Sequence, residues 1–315
     1  MRVTEPGEMG LGAGTSAVLD PGTLELIEEL QRDELERTGK RPETTAVVRT
    51  AIEALHAGRL SASRRRQLIE ALLDFGRTLS ANQVKGIPSF TDDEDANSLV
   101  IKDGFAFLLG VIFDQGIRAE RAWAAPYELK QRLGHLDPGR ILLEPDGVAN
   151  AVQQSPKLHR FVEKMPQWIV SAARRVMDEY GGQAEAIWSG GVAAEELRRR
   201  FDAFDGIGQK KAAMAVEILE RDLNVSVANL EGSDIAYDVH VRRVFLRTGL
   251  AVFDDPDHMV AVAREANAAR PGAVDFPAWT IGRTWCHAGV PDCPSCRLVD
   301  VCPKLVDRAG FVKGV

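Results

Sequence analysis

Four cysteines, the whole complement of this 315-residue chain, fall in one short stretch: Cys286, Cys293, Cys296 and Cys302, spaced C-x6-C-x2-C-x5-C. Four thiolates this close together can surround a single metal centre, and both zinc sites and iron–sulfur clusters use such a set. A second segment, Phe204-Asp205-Gly206-Ile207-Gly208-Gln209-Lys210-Lys211, sits between two runs with helical apolar spacing. Two glycines around one aliphatic residue permit a sharp turn that tucks Ile207 between the helices. The amides of the turn and of the next helix's first residues then lack partners and form an anion site at a positive helix end, where Lys210 and Lys211 add charge. A phosphate fits there, although a plain helical connection would read much the same. Further on, Asp238 stands at or just before a helix carrying Val241, Val244 and Phe245, where its carboxylate can cap free amides.

The elements that must position these residues read as helices throughout. Leu68, Leu72 and Leu73, and then the run Phe105 to Phe113, show helical or continuous apolar patterning, and few windows alternate as a strand does. Residues 1–20 are rich in glycine and small residues and read as a flexible lead-in. Two amphipathic patterns follow, Leu24-Ile27-Leu30 and Val47-Val48-Ala51-Ile52-Leu55, within an N-terminal helical extension at 21–80. The mass of 34.4 kDa and 45% hydrophobic content suit two lobes. No stretch is long and apolar enough for a membrane span, and the start lacks a secretory pattern, so an intracellular protein with reduced thiols is expected. The net charge of −7 excludes a broadly basic nucleic-acid binder; any such partner must be held locally.

Taken in order, the glycine turn, the lysine, the later aspartate and the cysteine quartet resemble the endonuclease III branch of the helix-hairpin-helix DNA glycosylases. The hairpin L-P-G-V-G-x-K is matched by Phe204 to Lys210, the V-D-T-H motif by Tyr237-Asp238-Val239-His240, and the G-R-x-x-C start of the cluster loop by Gly282-Arg283-Thr284-Trp285-Cys286. The resemblance covers roughly residues 105–303.

It implies an all-α, bilobed fold: a helical barrel lobe at 106–232 with the hairpin at about 195–221, and a second lobe from 81–105 plus 233–315. The second lobe would carry a [4Fe-4S] cluster on the four cysteines, a choice that the G-R-x-x-C motif favours over zinc. The implied activity is base-excision repair. A damaged nucleotide in double-stranded DNA is flipped into the cleft, Asp238 stabilises the charge that develops on the sugar, and Lys210 attacks C1′ to form a Schiff base with abasic-site lyase activity. For this, a desolvated cleft and the helix end are expected to lower the pKa of Lys210. A monofunctional glycosylase for an alkylated, deaminated or mismatched base is the alternative, and a non-catalytic DNA-binding protein a distant one. Gln115 matches the glutamine that fills the space of the flipped base. Gly206, Ile207, Gly208, Lys211 and Arg242 are the other expected DNA contacts. A monomer acting in the cytoplasm on nucleoid DNA is expected. Three departures stand out: Asp205 replaces the hairpin proline, the loop 287–292 lacks basic residues, and 224–234 reads as an insertion near the DNA-facing side.

Overall fold

The computed structural model describes residues 60–83 and 89–306, together with Glu28, Gln31, Arg32 and Thr44. The lead-in at 1–20 and the apolar patterns at 24–30 and 47–55 lie outside the described residues. Every regular element described is helical, as the helix-forming composition requires. No single described helix is long and apolar enough to cross a membrane.

Two apolar cores organise the molecule. The first is continuous in sequence. It is built from α2 (Glu94–Lys102), α3 (Gly104–Phe113), α4 (Ala119–Leu133), α5 (Pro138–Leu143), α6 (Pro145–Gln153), α7 (Lys164–Tyr180), α8 (Ala194–Asp202) and α9 (Gln209–Arg221). At its centre lies α3, all ten residues of which are buried; a helix apolar on every side can only be a core helix. Asp103 makes the corner before it. Its N–H donates to Leu99 O at the end of α2, and its carboxylate accepts from Ala106 N at the start of α3. The corner thereby aims α3 so that its C-terminal end, at Asp114, reaches the hairpin.

The second core is discontinuous. Leu68 and Leu72 of α1 (Ala62–Gln83) pack with residues of α10 (Val239–Thr248), α11 (Pro256–Ala266) and α12 (Asp275–Thr284), and with Leu298 of the cysteine loop. Gly76 lets Pro277 approach to 3.3 Å of where a Cβ would sit, and Phe75 meets Trp285 with ring centroids 5.9 Å apart. The boundary drawn at 80/81 from sequence therefore cuts through α1.

The segment after α9 also differs from expectation. Leu223, Val225, Val227 and Leu230 pack on the first core, and the backbone pairs with Val192 and Ala194 at the N-terminal end of α8, away from the hairpin turn. Its last residue, Asp234, is buried between Arg198 at 3.1 Å and Arg264, which grips both carboxylate oxygens at 2.8 Å. Apolar spacing in this stretch seats it on the core rather than leaving it on an exposed face.

Candidate nucleic-acid interface and active site

The hairpin forms as its glycines direct. Gly206 adopts φ +80°, and a Cβ there would fall 2.7 Å from the Trp168 ring, so both conformation and space demand glycine. Ile207 is buried, and its N–H donates to Phe204 O at 3.0 Å. Gly208 is different: φ is an ordinary −127°, and nothing lies within 4 Å of an added Cβ. No side chain caps α9 at this residue, so the amides of its first turn remain open. Asp205 accepts a hydrogen bond from Ser171 Oγ at 2.6 Å, which occupies part of the negative charge introduced where a proline was expected.

The two lysines point in opposite directions. Lys210 Nζ donates to Asp114 Oδ2 at 3.0 Å, with the lysine side chain 38% exposed and the aspartate 10%. Burial works against the ammonium, but Asp114 and Asp238, with Asp275 behind them, outweigh it and hold Lys210 above the ordinary lysine range. This corrects the expectation of a lowered pKa. Desolvation is the largest single effect, yet Asp114, Asp238 and Asp275 together outweigh it. Lys211 turns inward. Its Nζ donates to Ile112 O and Gly206 O, both at 2.8 Å, and lies 5.8 Å from the Trp168 ring centroid. Burial lowers it to about 8. It is therefore no surface phosphate contact, as was expected, but a clasp joining the hairpin to the end of α3.

Asp238 caps α10, accepting from His240 N at 2.8 Å and Val241 N at 2.9 Å. Both bonds use Oδ1, which leaves Oδ2 outside the cap. Gln209 fixes the approach to this residue: its amide donates to Ile235 O at 2.7 Å and accepts from Tyr237 N at 3.4 Å. The hairpin helix and the Asp238 segment are thus stapled together. Asp275, buried at the start of α12, accepts from Ala236 N at 2.8 Å. Burial and its neighbours Asp238 and Glu217 raise it well above the usual carboxylate range.

Gln115 directly follows Asp114. Its carbonyl accepts from His159 Nε2 at 3.0 Å, while His159 Nδ1 accepts from Phe161 N, which fixes a neutral imidazole protonated at Nε2. Burial lowers the pKa of this histidine. Arg160 donates to Gly116 O at 3.4 Å and is exposed beside the same loop. Arg242, expected to meet phosphate, is held by Asp254 at 3.3 Å and is mostly covered. Arg243 instead ties α10 to the cysteine loop through Gly282 O at 2.7 Å, Cys286 O and His240 Nδ1.

All four cysteines line one cavity, partly open to solvent, together with Arg247, Trp285, Leu298 and Lys304. Among the described residues, no three of them converge as ligands of a single ion would. Backbone amides already point at the sulfurs: Leu298 N to Cys296 Sγ at 3.5 Å and Lys304 N to Cys302 Sγ at 3.3 Å, with Arg247 3.7 Å from Cys286 Sγ. Four thiols lining one space, with N–H groups and a guanidinium directed at three of the sulfurs, are the donor type that an iron–sulfur cluster takes. Burial raises Cys302 to about 11, so thiolate ligation there must displace a proton.

Sequence reasoning missed Asp114 and Gln209, and could not tell which of Arg242 and Arg243 would face outward. Asp114 was passed over because its partner lies 96 residues away, and Gln209 because it occupies a variable position of the motif.

No family model matches the sequence, and no curated relative matches it. Many solved chains are similar in structure, and two of them serve for comparison. The first is a trapped endonuclease III–DNA covalent intermediate in an estranged-adenine complex: 19% identity, TM-score 0.55, covering 78% of this chain and 97% of that one. The second is a thermostable thymine-DNA glycosylase: 14% identity, TM-score 0.52, covering 77% and 97% respectively. The chain has the all-α fold of helix-hairpin-helix DNA glycosylases.

Proposed function

We propose that this protein is a base-excision DNA glycosylase acting on double-stranded DNA, with an abasic-site lyase step through Lys210. The observation that carries the reading is that Lys210, within reach of the charge of Asp238, stands at the start of the helix that follows an uncapped hairpin. The lysine is half-exposed, and the aspartate has one oxygen free of its capping bonds. Gly208 supports the DNA-binding half. Neither its φ nor any neighbour in the chain calls for glycine, and the missing side chain leaves the open amides reachable by a phosphate.

In this reading Asp238 Oδ2 stabilises positive charge on the sugar as the glycosidic bond breaks. Lys210 Nζ, once it has lost a proton, adds to C1′. Gln115 stands on the loop next to Asp114 and takes the space of the displaced base. Cys286, Cys293, Cys296 and Cys302 would hold a [4Fe-4S] cluster, whose binding free energy would order the loop that Arg243 ties to α10.

A monofunctional glycosylase is the second reading, and the Lys210–Asp114 ion pair favours it because a protonated lysine is no nucleophile. Borohydride trapping on duplexes containing an abasic site, alongside a panel of lesion-bearing duplexes scored for base release, separates the two. The lyase reading expects a covalent adduct that Lys210→Ala abolishes. Base release without any adduct assigns the monofunctional activity. Asp238→Asn is expected to slow base release by about 100-fold or more; full activity in that variant overturns the enzymatic reading. Purified protein is expected to be brown, and stoichiometric zinc in a colourless preparation overturns the cluster.

A further inference from the structure

We infer that Asp114 is a positioning residue that holds Lys210 as an ammonium ion until DNA enters the site, and so governs when this lysine acts as an amine. The inference rests on the proposed lyase reading and adds a residue to it.

Three observations carry it. Asp114 has no helical role that needs its carboxylate. It ends α3 through its backbone, with N–H donating to Gly110 O at 3.2 Å, while its side chain turns to Lys210. Its position is also fixed from behind, since Lys211 clasps Ile112 O two residues earlier and His159 holds Gln115 O one residue later. The carboxylate is therefore aimed rather than free to swing. Finally, it is nearly buried while the lysine is half-exposed, so a group arriving from solvent meets Lys210 first.

The charged groups facing Lys210 come from several elements: Asp114 at the end of α3, Asp238 at the cap of α10, Asp275 at the start of α12, and Lys211 on its own helix. Asp114 is the one in hydrogen-bond contact. Neighbouring lysines are set in opposite senses: burial lowers Lys211 to about 8 against the pull of Asp114, while Asp114 and the other carboxylates raise Lys210.

The proton inventory of the step closes within the pair. Asp114 takes one proton from the Lys210 ammonium as the amine adds to the C1′ aldehyde of an open abasic sugar, forming the N–C bond of a carbinolamine. A second proton moves from that nitrogen to the former carbonyl oxygen. Asp114 then returns its proton to the departing hydroxyl, which leaves as water, and the product is a protonated Schiff base. Ammonium and aldehyde give iminium and water, with no further reactant.

The test uses the full chain. In protein labelled with 13C at lysine Cε, the Lys210 signal is assigned by its loss in Lys210→Ala, and its titration is followed in wild type, Asp114→Asn and Asp114→Glu. Borohydride trapping on abasic duplex is measured over the same pH range. Lys210 is expected to titrate above the free-lysine value of about 10.4 in wild type, and at least about one pH unit lower in Asp114→Asn. The glutamate variant is expected to restore part of the difference, and the pH midpoint of trapping to move down with the titration. An unchanged Lys210 titration in folded Asp114→Asn overturns the inference. If that variant does not fold, a wild-type Lys210 titrating at or below the free-lysine value overturns it equally. Absence of any wild-type adduct at every pH defeats the lyase reading instead; the role of Asp114 then stands or falls on the titration alone.

Discussion

Gly206 and Gly208 are interchangeable in a motif and unlike in the molecule. Gly206 answers to the fold: φ is +80° and Trp168 fills the space a methyl group would need. Gly206→Ala is expected to destabilise the protein by about 2 kcal/mol or more, seen as a lower thermal midpoint. Gly208 answers to what lies outside. Gly208→Ala is expected to leave the midpoint within about 1 kcal/mol and to weaken duplex binding several-fold in a fluorescence titration; unchanged binding would deny the hairpin its phosphate. Asp275 offers a third test, with a sign fixed by linkage. Its native pKa is raised above the unfolded value, so the native state binds more protons between the two, and stability falls as pH rises from about 4 through the native value. Asp275→Asn keeps an oxygen for Ala236 N–H and removes the buried charge. It is expected to gain on the order of 1 kcal/mol at neutral pH and to flatten the dependence of thermal midpoint on pH.

Among the elements, α10 joins Asp238, the proposed catalytic carboxylate, to the cysteine loop. Asp238 starts it, and Arg243, one turn in, holds Gly282 O and Cys286 O. Arg243→Ala leaves those carbonyls without their donor and is expected to cost about 2–3 kcal/mol. Iron content and base-release rate should fall together. Arg243→Lys should rescue little, since one ammonium cannot span the fork. Loss of iron with full retention of activity would uncouple the two. How much of this was legible followed from locality. The hairpin, the Asp238 cap and the cysteine spacing were readable because each is set within a few residues. Adjacent basic residues were not. Consecutive positions on a helix point about 100° apart, so one of Lys210 and Lys211, and one of Arg242 and Arg243, had to turn away from any given face. Only packing decided which. The charge on Lys210 was misjudged for the same reason, its controlling partner being remote in the chain.

For the whole molecule, the acidic balance of −7 constrains how DNA would be held under the proposed function. With contact limited to the hairpin amides and a few nearby cations, the affinity for duplex is expected to fall only about 10–50-fold between 50 and 200 mM salt, as two or three displaced counterions would give. A fall of a thousandfold or more would mean that a broad basic track has been overlooked.

The two cores differ in how a growing chain can complete them. The first is gathered from neighbouring segments and can close as soon as they emerge, whereas the second joins α1 to helices that begin roughly 150–200 residues later. During synthesis Leu68 and Leu72 therefore meet these partners only once α10 to α12 have left the ribosome. The cysteine loop comes later still, so its thiols emerge after α1 and α10 to α12, the helices of the core that they pack against.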